Sequence, residues 1–285
     1  MSTATRSTLI RRFRPADGAP VRLACFPHAG GSASYWFALA QALAPQVEVL
    51  AVQYPGRQDL RGEPLITDAR EAADRVTAEL EPWCDRPLAL LGHSYGATVA
   101  FEVALRMQAA GTTPPALFVS GRRAPSQPRP PEQLHLAGDV ELIDDLKRLS
   151  GTQAAVLADP QLLRLVLPVI RADYRAAEEY RYRPGPPLRC PVTVLNGTED
   201  PQVSAEAAAA WARHTVAACR LHWFPGGHFY LDEQAEQVVE VVRHQLAAAA
   251  PDPTPATAPT APADPTGPAA ATGTGTAVAT GTAAR

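Results

Sequence analysis

An α/β architecture, with a mostly parallel sheet, helices on its faces and a helical insertion late in the chain, is predicted by three observations. Short apolar runs rich in β-formers alternate with helical patterns along most of the 285 residues. One of those runs passes through Gly92-His93-Ser94-Tyr95-Gly96 straight into a helical pattern. The connection between Ser120 and Val192 is out of proportion, at roughly 70 residues where a single crossover needs a dozen or so.

Taken in order, β-rich runs predict strands over Leu9–Phe13, Val21–Phe26, Val47–Val52, Leu88–Leu91, Ala116–Ser120, Val192–Leu195 and Leu221–Phe224. Helical periodicity predicts helices over Tyr35–Leu43, Asp68–Trp83, Ala97–Ala110, Ser204–Arg213 and Asp232–Ala248. The insertion, about residues 121–190, reads as a Pro-rich loop (Pro125, Pro128, Pro130, Pro131), a helix over Val140–Leu149 and a longer one from Gln161 to Tyr180 interrupted by Pro168. Its expected role is a lid. From residue 251 the composition collapses, with 31 of the last 35 residues Ala, Thr, Pro or Gly and no aromatic. Such a segment cannot form a core, so residues 1–250 are expected to hold the domain and 251–285 a disordered tail.

Composition narrows the function. The hydrophobic content of 46% supports a substantial core, and a net charge of −3 without a Lys/Arg run argues against nucleic acid. Met1–Pro15 carries Arg6, Arg11, Arg12 and Arg14 but no apolar core of a secretion signal, and nothing reads as a membrane span, so the cytoplasm is expected. The four cysteines are far apart and show no zinc spacing; buried thiols and no metal are expected.

The chemistry is carried by turns that follow strands, where open parallel sheets bind ligands. In Gly92-His93-Ser94-Tyr95-Gly96 the flanking glycines allow the sharp strand-to-helix turn of a nucleophile elbow, which exposes Ser94. A serine hydroxyl is a poor nucleophile at neutral pH and needs a base, itself oriented by a carboxylate. His228, on a glycine-hinged loop after the last strand, is favoured as the base over the other six histidines. Asp200, in the turn after Val192–Leu195, is favoured as the carboxylate over its neighbour Glu199, because a shorter side chain is better held by a turn. The order Ser, Asp, His is that expected of α/β hydrolases. An oxyanion hole requires two converging N–H donors. Tyr95, directly after the nucleophile, supplies one; Ala29, in the glycine-rich loop after Val21–Phe26, is favoured for the other, with His28 as the neighbouring possibility.

The segments FPHAGGSASY (Phe26 to Tyr35), QYPGR (Gln53 to Arg57), GHSYGA (Gly92 to Ala97), SGRRAP (Ser120 to Pro125), RLSGT (Arg148 to Thr152), Ile170 to Tyr180, GTEDP (Gly197 to Pro201) and PGGHFYL (Pro225 to Leu231) resemble the stand-alone type II thioesterases of polyketide and nonribosomal peptide pathways. The resemblance spans roughly residues 9–246. It implies hydrolysis of acyl thioesters on the phosphopantetheine arm of an acyl or peptidyl carrier protein, clearing stalled or wrongly loaded groups, with Ser94 as nucleophile, Asp200 as acid and His228 as base. No cofactor is implied beyond the arm that carries the substrate. One departure is Tyr95, where the family often has Met or Leu; the backbone donor survives and the pocket changes shape. His28, Tyr95 and Phe229 are expected to touch substrate, and Arg57, Arg122 and Arg123, in arginine clusters after strands that also include Arg61 and Arg129, to meet the acidic carrier or the phosphate of its arm. A monomer is expected, and so is a stand-alone form, with the hydrolase domain opening the sequence; an excised fragment of a larger synthase is the alternative. The alternatives are a cyclising or fatty-acyl-releasing thioesterase, a carboxylesterase of the same fold, and a non-catalytic binding module.

Overall fold

The computed structural model describes residues 9–128, 133–149 and 159–247. The expected tail at 251–285, Arg129 and much of the Arg148–Thr152 segment lie outside them. Seven strands form one sheet: β1 (Ile10–Arg11), β2 (Val21–Phe26), β3 (Val47–Val52), β4 (Leu88–His93), β5 (Leu117–Ser120), β6 (Val192–Gly197) and β7 (Cys219–Phe224). Their spatial order is β1-β3-β2-β4-β5-β6-β7. Only β1 is antiparallel, pairing Ile10 with Val52; every other neighbour is parallel. β1 is shorter than Leu9–Phe13 because Arg12 leaves the ladder to pair with Asp17 and the buried Glu48.

Every residue of β2 to β6 is buried, which is why those runs read as continuously apolar instead of alternating. Alternate residues still divide between two layers. Ala24, Phe26, Leu90, Val119 and Val194 join one core with helices α2 (Ala69–Leu80) and α3 (Tyr95–Ala109). Leu23, Cys25, Leu91 and Phe118 join the other with α1 (Phe37–Leu43) and the C-terminal α8 (Ala235–Ala247).

The insertion contributes α4 (Asp139–Leu149) and α5 (Pro160–Glu179), joined by a small apolar cluster of Leu142, Leu146, Leu167 and Ile170. Asp159 caps α5, accepting from the N–H groups of Gln161 (2.8 Å) and Leu162 (3.3 Å). Pro168 lies inside the helix instead of ending it. Further on, Ser204 caps the short α6 (Ala205–Ala209). The last predicted helix is two: α7 (Tyr230–Glu233) stops at Gln234 and α8 starts afresh. No helix among the described residues is long and apolar enough to cross a membrane.

Candidate active site

The turn between β4 and α3 is built on two close approaches. A Cβ at Gly92 would lie 2.3 Å from the Gly96 carbonyl oxygen, and one at Gly96 2.2 Å from that of Phe26. Between them Ser94 takes φ 52 and ψ −117, a conformation that L-residues avoid and that costs of order 1–3 kcal/mol. Helix α3 therefore begins at Tyr95, two residues before the predicted Ala97. The Ser94 N–H donates to Ser120 O (2.8 Å), fixing the elbow against the end of β5.

Asp200 and His228 come together because the turns that carry them are hydrogen-bonded. Thr198 N–H donates to Phe224 O (2.8 Å) and Glu199 N–H to Gly226 O (2.9 Å). His228 Nδ1 then lies 2.7 Å from Asp200 Oδ2, with both side chains buried. The other Asp200 oxygen accepts from Gln202 N–H at 2.8 Å, an Asx turn that fixes the carboxylate; Glu199 is exposed. The His228 ring packs over Gly121, whose missing Cβ would lie 3.2 Å from His228 Cε1, one residue beyond the Ser120 carbonyl that holds Ser94. Among the described residues the Ser94 hydroxyl makes no hydrogen bond, to His228 or to any other group.

Three imidazoles crowd this edge. His93 is fully buried, its ring centroid 5.1 Å from that of His228, while that of His28 is 4.8 Å from Phe229 and 4.7 Å from Tyr35. Ser120 Oγ lies 2.9 Å from His93 Nδ1 and 2.6 Å from the Tyr230 hydroxyl, a buried chain running beneath His228. Burial, then the charges of His228 and Arg57, lowers the His28 pKa to about 3. Burial, then His228 and His28, holds His93 well below the usual imidazole range. Both are therefore neutral neighbours of His228.

This has a consequence for stability. Burial also lowers His214 and His222, so each of the four takes up its proton less readily in the fold than in the unfolded chain. Stability is full above about pH 6.5 and falls as pH drops below it, by up to about 1.4 kcal/mol per pH unit for each fully depressed group. The unfolding midpoint should fall steadily between pH 7 and pH 5, and His28→Leu should make that fall shallower in a thermal melt series. An unchanged slope would show that His28 titrates alike in both states.

Of the residues expected to touch substrate, His28 and Phe229 sit together, half-buried, beside His228. Tyr95 differs: it is 2% exposed and packs near Tyr54 (centroids 5.7 Å apart) in the core shared with α2 and α3. Arg123 is partly buried and donates to the carbonyls of Pro128 (3.2 Å) and Gln202 (2.9 Å); Arg122 is half-buried after β5. Arg57 requires a correction. It is not a surface group: it donates to both carboxylate oxygens of the buried Asp173 (2.8 and 2.9 Å), to Gly31 O (3.0 Å) and to Pro55 O (3.3 Å).

The residues missed from sequence are those that hold the loop after β2. Buried Gln53 accepts from Ala33 N–H (2.8 Å) and donates to Arg57 O (3.2 Å). Asp173, on α5, accepts from Gly30 N–H at 2.7 Å. A signal for Asp173 exists in the sequence, since it lies on the stripe Val169, Ile170, Ala172, Ala176, Ala177, all buried. A carboxylate on such a stripe demands a partner.

Sheet order, elbow and the pairing of the last two turns place the chain among the α/β hydrolases. The Thioesterase domain family model matches residues 21–246, and the chain belongs to the thioesterase family, hydrolases acting on thioesters. It is similar to thioesterase PikA5 of Streptomyces venezuelae, 48% identical over 247 residues that cover 85% of this chain and 88% of the relative. Among solved structures it is similar to the type II thioesterase BorB of the borrelidin biosynthetic cluster, at 48% identity and a TM-score of 0.79, covering 84% of this chain and 97% of that one. YbtT, the type II thioesterase from the yersiniabactin pathway, matches at 33% identity and a TM-score of 0.76, covering 85% and 100%.

Proposed function

We propose that the protein is an editing thioesterase that hydrolyses acyl groups from the phosphopantetheine arm of acyl or peptidyl carrier proteins. The observation that carries this reading is the buried His228–Asp200 pair at 2.7 Å, set beyond the same sheet edge as the strained elbow serine. The similarity to type II thioesterases supports the carrier-bound substrate and the editing role.

In this reading His228 Nε2 takes the Ser94 proton as Oγ attacks the thioester carbonyl, and Asp200 holds the ring through Nδ1. The N–H groups of Tyr95 and Ala29 receive the oxyanion. The C–S bond breaks, the thiolate leaves with the proton from His228, and an acyl-serine remains. Water, deprotonated by His228, attacks that ester; the acid departs and Ser94 regains its proton. His28 and Phe229 flank the acyl group, and Arg122 and Arg123 face the carrier or the phosphate of its arm.

The test is to offer one acyl group on a carrier protein and as a simple oxygen ester, and to identify the products by mass spectrometry. Free acid is expected, with kcat/KM at least about tenfold higher for the carrier thioester than for the ester. A preference for the oxygen ester, or a lactone or transfer product, would overturn the reading.

A further inference from the structure

The loop that carries Ala29 is held by the insertion. His28 to Gly31 form a turn closed by Gly31 N–H to His28 O (2.9 Å), with Gly30 at its third position at φ 76, the value a type II turn asks of that residue. The middle peptide of such a turn can flip, exchanging the directions of the Ala29 carbonyl and the Gly30 N–H. Here one bond opposes the flip: the Gly30 N–H donates at 2.7 Å to Asp173 Oδ2. Asp173 is 2% exposed and lies on α5, more than 140 residues downstream. Its carboxylate is in turn held by both terminal nitrogens of Arg57, which also reaches Gly31 O. Ile170, one turn earlier on α5, lies directly over Gly30, where a Cβ would come within 2.6 Å of its Cγ1.

We infer that Asp173 is a positioning residue for hydrolysis, its carboxylate locking the Ala29-Gly30 peptide from the insertion so that the oxyanion donor beside it keeps its aim. The C-terminal half of α5 is thus a fixed wall of the site. The inference rests on Ala29 being an oxyanion donor in the proposed reaction. It makes a demand that a purely structural ion pair does not: the acceptor for Gly30 matters even when Arg57 is gone.

Two double variants separate these roles. In both, Arg57→Met removes the charge that a lone Asp173 substitution would strand, since replacing a buried pair by apolar groups is often tolerated. Arg57→Met with Asp173→Asn keeps an oxygen for the Gly30 N–H; Arg57→Met with Asp173→Leu does not. The Leu variant should lose about 100-fold in kcat relative to the Asn variant, with KM within about threefold, as expected for a disturbed oxyanion hole. Inhibition by an alkylboronic acid, which forms a tetrahedral anion on the serine, should weaken by a similar factor. Asp173→Asn alone is the folding control: the melting temperature should drop while kcat stays close to that of the Asn double variant. Equal kcat and equal boronate inhibition in the two double variants would overturn the inference, as would a difference confined to KM. Failure of the underlying reading shows elsewhere, as free-acid release that survives loss of Ser94.

Discussion

Ser94→Ala should lower free-acid release from acyl-carrier protein by roughly 10⁴- to 10⁶-fold while leaving the fold intact, the range seen when a triad nucleophile is removed. The argument has two parts. In the proposed reaction alanine removes the attacking oxygen, and the residual rate is what the proposed oxyanion donors and substrate binding supply by themselves. Alanine also keeps the Cβ, so the strained φ of 52 is unrelieved and the melting temperature should match that of the parent within a degree or two. Ser94→Gly completes the comparison: it relieves a conformation costing of order 1–3 kcal/mol, loses part of that gain to the more flexible unfolded chain, and should melt higher than Ser94→Ala while being as inactive. A fluorophosphonate that labels the parent should label neither variant. Release at even a few per cent of the parent rate would assign the nucleophile elsewhere.

Gly96→Ala should be strongly destabilising, a methyl driven into backbone as severely as one at Gly92 or Gly197. The added Cβ would stand 2.2 Å from Phe26 O and 2.5 Å from Pro27 O, both backbone atoms at the end of β2 that no rotamer change can move. Either α3 lifts from the sheet or the β2 loop shifts, and the same loop carries Ala29. Overpacking against rigid backbone costs about 4 kcal/mol or more, which for a domain of this size lowers the melting temperature by roughly 8–16 °C. Activity should fall even in the folded fraction, because Tyr95 and Ala29, the proposed oxyanion donors, flank the junction being forced apart. Gly62→Ala, at a site with nothing within 4 Å of the added carbon, is the matched control and should change little. A melt of Gly96→Ala within 2 °C of the parent would mean that the elbow yields far more easily than its contacts suggest.

What was legible in the sequence follows from the range of the forces involved. The central strands announce themselves because both faces are buried, and the turns after β4, β6 and β7 because glycine, asparagine and proline mark sharp backbone changes locally. Between Asp200 and Glu199 the difference is local: the shorter side chain closes an Asx turn with Gln202 while Glu199 is exposed. Ends of elements were less legible. Helix α3 starts at Tyr95 because the elbow compresses the turn, and the final helix breaks at Gln234 without a glycine or proline to announce it. The burial of Arg57 is not legible locally, because clustered arginines after a strand are most often solvated. Its partner Asp173 stands 116 residues away, and no local pattern links the two. The Gln53 bonds to the β2 loop and the Ser120–Tyr230 contact were invisible for the same reason: each joins segments that meet only once the sheet has formed.

The Arg57–Asp173 pairing also decides how this scaffold can be rebuilt. A designer wishing to change acyl preference would cut at the ends of the 121–190 segment and transplant a different one, treating it as an interchangeable cap. That segment does not come away cleanly, because it carries one member of a buried charge pair whose other member belongs to the recipient. A transplant lacking an acid at position 173 strands the arginine; a recipient lacking the arginine strands the acid. Either error leaves an uncompensated buried charge worth about 3–5 kcal/mol. The unit of exchange is therefore the segment together with Arg57 and Gly30.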